Sequence, residues 1–112
     1  MNRAADLREI AATAARAAAA VPGVAYLSPR LTDRLRPAAL ANGSHRALGV
    51  RVVPRDASDR TAVDISLAVR SGHQATAVAR RVRVAVIESL HAEHPRVWAT
   101  DVTVSVTVTA IV

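Results

Sequence analysis

The sequence predicts an α+β fold, a small mixed β-sheet of three to four strands with two helices packed on one face. Residues from Val63 to Val69 alternate apolar side chains with small or polar ones, which is the period of a strand with one buried face. After Ser71-Gly72 the apolar residues recur every three or four positions, as in a helix. A strand, a long helix and a further strand in succession favour a crossover connection and therefore a parallel pair within the sheet.

The first predicted element is a helix over Leu7 to Ala20. Its apolar stripe comprises Leu7, Ile10, Ala14, Ala18 and Val21. Its polar side comprises Glu9, Thr13 and Arg16. Pro22-Gly23 predicts the end of this helix, because proline disfavours the helical region for the residue before it and glycine tolerates a turn. Val24 to Leu27 then reads as a short strand.

The middle of the chain is expected to be an irregular, exposed connection over residues 28–47, with one helical turn near Pro37 to Leu40. A hairpin follows. Its strands are predicted over Leu48 to Val53 and Thr61 to Val69, and the polar segment Pro54 to Arg60 supplies the turn.

The chain ends with a helix over Gln74 to His91 and a strand over Val97 to Val112. Valines on one face of that strand alternate with hydroxyl residues on the other. We expect the hydroxyl face to be solvated or covered by another subunit. It comprises Thr103, Ser105, Thr107 and Thr109. All 112 residues are expected to form one domain.

The composition favours binding over catalysis. There is no cysteine, which excludes a disulfide framework, a thiolate metal site and a cysteine nucleophile. His91 and His94 lie three residues apart, but Pro95 ends the helix there and no third ligand with suitable spacing follows, so no metal site is predicted. No acid–base or nucleophilic constellation is recognisable. We therefore expect no enzymatic activity, no cofactor and no small-molecule substrate.

Four segments resemble the alkaline shock protein family, also called the general-stress or envelope stress response family of Gram-positive bacteria. They are IAATAARAAAAVPGVAYL, LGVRVVP, VDISLAVRSGHQATAVARRVRVAVIESL and VTVSVTV. The resemblance covers the chain from about Leu7 onward. It implies a non-catalytic cytoplasmic protein that self-assembles into homo-oligomers and lies near the membrane through a membrane-anchored partner.

The long helix has more apolar surface than one sheet contact needs. Val84 and Ile87 fall opposite the stripe that suits the sheet, and Arg80, Arg83 and His91 flank them. One interpretation is that the first helix or the long connection covers both apolar residues. The other is that all five form a contact strip for a partner helix, another subunit or an anionic membrane surface.

The net charge of +6 keeps a second function open, because a small basic domain can also bind nucleic acid. The absence of a G-x-x-G loop and the presence of only two aromatic residues weigh against it.

Overall fold

The computed structural model describes residues 3–28, 45–47, 49–55, 60–94 and 102–112. These residues form two helices and five strands in the order α1, β1, β2, β3, β4, α2, β5. Their bounds are α1 Arg3–Ala19, β1 Val24–Leu27, β2 His45–Ala47, β3 Val50–Arg55, β4 Arg60–Val69, α2 Ala75–Glu93 and β5 Val102–Ile111. The predicted α+β class is confirmed.

Strand β4 is the centre of a mixed sheet. It pairs in parallel with β5 along one edge, over Thr61 to Val69. Along its other edge β3 and β1 pair with it antiparallel, one after the other, and β2 extends the sheet beyond β3. Ser66 marks the junction between β3 and β1. Its N–H donates to the carbonyl of Gly49 at 2.7 Å, and its carbonyl accepts from the N–H of Ser28 at 2.9 Å.

Both helices contact each other and the same face of the sheet. The β4 residues that face them are the alternating set Val63, Ile65, Leu67 and Val69, all fully buried. From α2 the buried residues are Val78, Val82, Val86 and Leu90. From α1 and the turn after it, the predicted stripe of Leu7, Ile10, Ala14, Ala18 and Val21 is buried, together with Ala11. Small alanine side chains allow α1 to approach its neighbours closely.

The turn after α1 is held against the start of α2. Gly23 has φ +97°, and its carbonyl accepts a 2.8 Å hydrogen bond from the N–H of Arg70. A Cβ at this position would lie 2.8 Å from Cγ2 of Val78 and 2.9 Å from Nδ1 of His73. Glycine is needed here both for its backbone conformation and for the closeness of α2.

A polar cluster joins α1 to the C-terminal end of α2. Thr13 Oγ1 lies 2.8 Å from Nε2 of His94 and accepts a 3.3 Å hydrogen bond from Arg16, which also pairs with Glu93 at 3.1 Å. Thr13 is only 3% exposed, so its placement on the polar, outward side of the helix was wrong. The 3.6-residue period puts Thr13 at the border of the apolar stripe, and α2 covers that border.

Within the described residues the sheet has five strands instead of the three to four predicted. The additional strand, β2, lies within the segment 28–47 that was expected to be irregular, and it pairs antiparallel with β3. Backbone pairing with an already formed hairpin makes a strand of three residues here, and so short a segment carries no readable period. The helical turn predicted near Pro37 to Leu40 lies outside the described residues.

The remaining bounds differ by a few residues. Helix α2 runs from Ala75 to Glu93, against the predicted Gln74 to His91, and the hairpin of β3 and β4 forms as expected. Strand β5 is described from Val102, so the predicted start of the closing strand at Val97 lies outside the described residues.

Candidate interaction surface

The outer face of α2 carries an apolar residue that the described part of the chain leaves open to solvent. Val84 is 54% exposed, and it lies on the side of the helix opposite the buried stripe of Val78, Val82 and Val86. A single exposed valine is ordinary on a protein surface, so the significance of Val84 depends on the residues around it.

Val84 lies in a shallow, open depression of about 400 Å³. Its lining, which we call the α2 groove, comprises Arg80, Arg81, Val84, Ala85 and Glu88. Residues 81, 84, 85 and 88 are spaced three or four apart, so they lie along one stripe of the helix. The helical spacing that placed Val84 on the outer face could therefore also have placed Arg81, Ala85 and Glu88 beside it. The sequence-based prediction missed these three because it grouped Val84 with its neighbours on the other side, Arg83 and Ile87.

The five residues of the predicted contact strip separate into two groups. Arg80, Arg83, Val84 and His91 are exposed on the outer face of α2. Ile87 is half-buried and packs against the hydrophobic core. The interpretation that the chain covers both apolar residues therefore holds in part for Ile87 and not for Val84.

The charge around the groove is mainly positive. The guanidinium groups of Arg80, Arg81 and Arg83 outnumber the single carboxylate of Glu88, and all four side chains are exposed. An apolar floor with a basic rim suits a ligand that presents apolar side chains next to acidic ones.

The hydroxyl face of β5 lies on the side of the sheet away from the helices. Thr103, Ser105 and Thr109 are exposed, and Thr107 is half-buried. The pairing with β4 shifts register between Leu67 and the next residue, so Thr109 falls at a bulge. Its hydroxyl donates to the carbonyl of Leu67 at 3.1 Å.

An ion pair lies on the same side of the sheet. Arg51 of β3 and Asp64 of β4 are register partners, and their side chains pair at 3.0 Å. The carboxylate of Asp64 is therefore paired with the guanidinium group of Arg51.

The two histidines at the C-terminal end of α2 differ in their contacts. His94 contacts Thr13 and donates its backbone N–H to the carbonyl of Leu90 at 2.8 Å, which closes the helix end. His91 is exposed on the outer face. Within the described ranges, no group of three or more histidine, aspartate or glutamate residues could hold a metal ion. In the same part of the chain, neither helix has the length and apolar character needed to cross a bilayer.

No family model, curated protein or solved structure matches this chain. The resemblance to the envelope stress response family therefore stays a prediction from the sequence.

Proposed function

We propose that this protein is a non-catalytic interaction module of the envelope stress response type, which self-assembles and docks to a membrane-associated partner through the α2 groove. The observation that carries the docking proposal is Val84, an apolar residue exposed at the centre of a basic depression. The resemblance to the family supplies the expectation of a cytoplasmic protein that is held near the membrane by its partner.

The shape of the groove favours a helix or an extended segment as its ligand. It is shallow and open, and its lining follows one stripe of α2. A small molecule needs a deeper site that buries most of its surface. A partner segment with apolar anchors at helical spacing and acidic residues beside them would cover Val84 and Ala85 and neutralise Arg80 and Arg81.

The test is a single substitution, Val84→Asp, assayed by affinity capture from the native cell and identification of the captured proteins. We expect the wild-type protein to retain a membrane protein with an acidic, apolar segment, and the variant to lose it. The fold should persist, because Val84 is exposed and an aspartate there lies three and four residues from Arg81 and Arg80.

The matched control is Ala12→Asp, which puts the same charge at an exposed position on α1, outside the lining of the groove and likewise four residues from an arginine on either side. Capture should be unaffected in this variant. Retention of the membrane protein by Val84→Asp, or its loss from both variants, would contradict docking through the groove. Binding of the wild-type protein to protein-free anionic vesicles, and loss of that binding in Val84→Asp, would assign the groove to lipid instead.

A nucleic-acid-binding function is the second candidate, because three exposed arginines lie close together on α2, at positions 80, 81 and 83. Such a surface would bind phosphate groups without reading sequence. Generic double-stranded DNA at low salt tests it. A complex that weakens steeply as salt rises and is lost in Arg80→Ala plus Arg81→Ala would favour this candidate, and no binding at low salt removes it.

A further inference from the structure

The exposed stripe of α2 that contains the groove carries opposite charges towards its two ends. Arg81 and Glu88 are both exposed and lie seven residues apart, about 10 Å along the helix axis. Within the described residues, neither side chain takes part in a hydrogen bond or an ion pair. Each of these charges can therefore pair with a group on whatever molecule covers the groove.

The same stripe is symmetric about its midpoint, which lies between Val84 and Ala85. From residue 77 to residue 92, six exposed or half-buried residues lie within about 50° of one line along the helix. They form three pairs at equal distances from the midpoint: Ala77 with Ala92, Arg81 with Glu88, and Val84 with Ala85. About its centre the stripe thus matches apolar residues with apolar ones and a positive charge with a negative one.

A second copy of this stripe fits the first when the two helices run antiparallel. A two-fold axis through the midpoint places each residue level with the residue of the second copy that lies equally far on the other side. Arg81 then lies beside Glu88 of the second copy, and the same contact occurs twice. Val84 packs against Ala85 of the second copy, and the small alanines allow the helices to approach to about 8 Å.

The neighbouring arginine does not cancel this attraction. Arg80 lies about 90° from the centre of the stripe, and its two copies are about 14 Å apart along the helix axes. That separation exceeds the Debye length of about 8 Å at physiological ionic strength. The net charge of +6 on each copy still opposes association, and one helix stripe is a small interface, so the dimer should be weak.

We infer that, in the absence of a docked partner, the α2 groove is covered by the α2 groove of a second copy in an antiparallel two-fold dimer. Self-assembly and docking then exclude each other, because both use Val84 and Arg81. A more acidic ligand replaces the second copy, since it pairs with Arg80 and Arg81 without bringing a second charge of +6. This inference rests on the proposed function and adds its regulation.

A charge reversal tests the dimer. Glu88→Arg places an arginine beside Arg81 of the second copy at both ends of the contact, so the dimer dissociation constant in sedimentation equilibrium should rise about tenfold or more. The matched control is Glu9→Arg, which makes the same change of charge at an exposed position on α1 and should dimerise as the wild type does. Circular dichroism shows that each variant is folded.

A mixture of two variants tests the register. Arg81→Glu places a glutamate beside Glu88 of the second copy, so this variant should also fail to pair with itself. When Arg81→Glu and Glu88→Arg are mixed, each finds the opposite charge at both ends of the other, and a heterodimer of about wild-type affinity should form. The double variant in one chain should likewise dimerise with itself.

The outcomes separate this inference from the docking proposal. Glu88→Arg keeps Val84 and the three arginines, so it should still capture the acidic membrane partner although it no longer dimerises. A wild-type protein that stays monomeric at all concentrations, a dimer that survives Glu88→Arg, or a mixture that forms no heterodimer overturns the inference and leaves docking intact. Retention of the membrane protein by Val84→Asp, with the expected dimer behaviour, supports pairing of the two grooves and contradicts docking.

Discussion

The turn at Gly23 shows how one residue ties two elements together. Its φ of +97° lies in the left-handed region, and a Cβ would overlap Val78 Cγ2 at 2.8 Å. Val78 is itself fully buried against the sheet, so it cannot move aside without disturbing the core. We expect Gly23→Ala to lower the free energy of unfolding by about 2–4 kcal/mol, measured by urea denaturation.

Gly72 provides the control, since its φ of +94° is nearly the same but the space that a Cβ would occupy is open, with no atom beyond its chain neighbours within 4 Å. Gly72→Ala should therefore lower the free energy of unfolding only by the cost of the left-handed backbone conformation, about 1–2 kcal/mol. The difference between the two variants measures the steric contact with α2. Equal losses in both would show that the closeness of Val78 contributes nothing to stability.

The sequence predicts that Gly23 ends the helix, but it does not predict the close contact with α2. Pro22-Gly23 after an apolar helix predicts a helix end, because both residues disfavour its continuation. The contact with Val78 joins residues far apart in the chain, and it exists only once α2 has packed on the sheet. A local pattern carries no information about such a neighbour.

At the scale of elements, the contact between α1 and α2 includes a buried hydroxyl. Thr13 Oγ1 lies between His94 and Arg16, and the residue is almost fully buried. Thr13→Val keeps the volume and removes the hydrogen bonds, so we expect a loss of about 1 kcal/mol in the free energy of unfolding. A double-mutant cycle with His94→Ala measures the coupling between the two helices.

The sign of that coupling decides the interpretation. If Thr13 and His94 stabilise the helix pair together, the double variant loses less than the sum of the single variants. Strict additivity would mean that the two side chains act independently in spite of the 2.8 Å distance between them.

The amphipathic pattern of α2 could be predicted, but not the extent to which each outer residue is covered. The helical spacing placed Val84 and Ile87 on the same outer face, whereas the structure packs Ile87 against the core and leaves Val84 exposed. The reason is that α1 lies beside α2, and the side on which it lies follows from tertiary packing. An aspartate at Ile87 would test stability and binding at once, so the single Val84→Asp variant is the cleaner experiment.

At the scale of the whole molecule, the chain and the α2 groove carry charge of the same sign. The net charge is +6, and the groove has a basic rim. Electrostatic complementarity therefore favours an acidic ligand at the groove, and contact with Val84 adds an apolar contribution. Screening by salt weakens the first contribution and leaves the second in place.

Salt concentration makes this difference measurable. Raising it from about 0.05 to about 0.5 M shortens the Debye length to a few ångströms, so attraction between the groove and an acidic segment weakens. The apolar contact at Val84 is not weakened by this screening, so part of the affinity should remain. We expect capture of the acidic partner to decrease as salt rises and to be lost at every salt concentration in Val84→Asp. Capture of the partner that is unchanged at about 0.5 M salt would mean that the basic rim contributes nothing to binding.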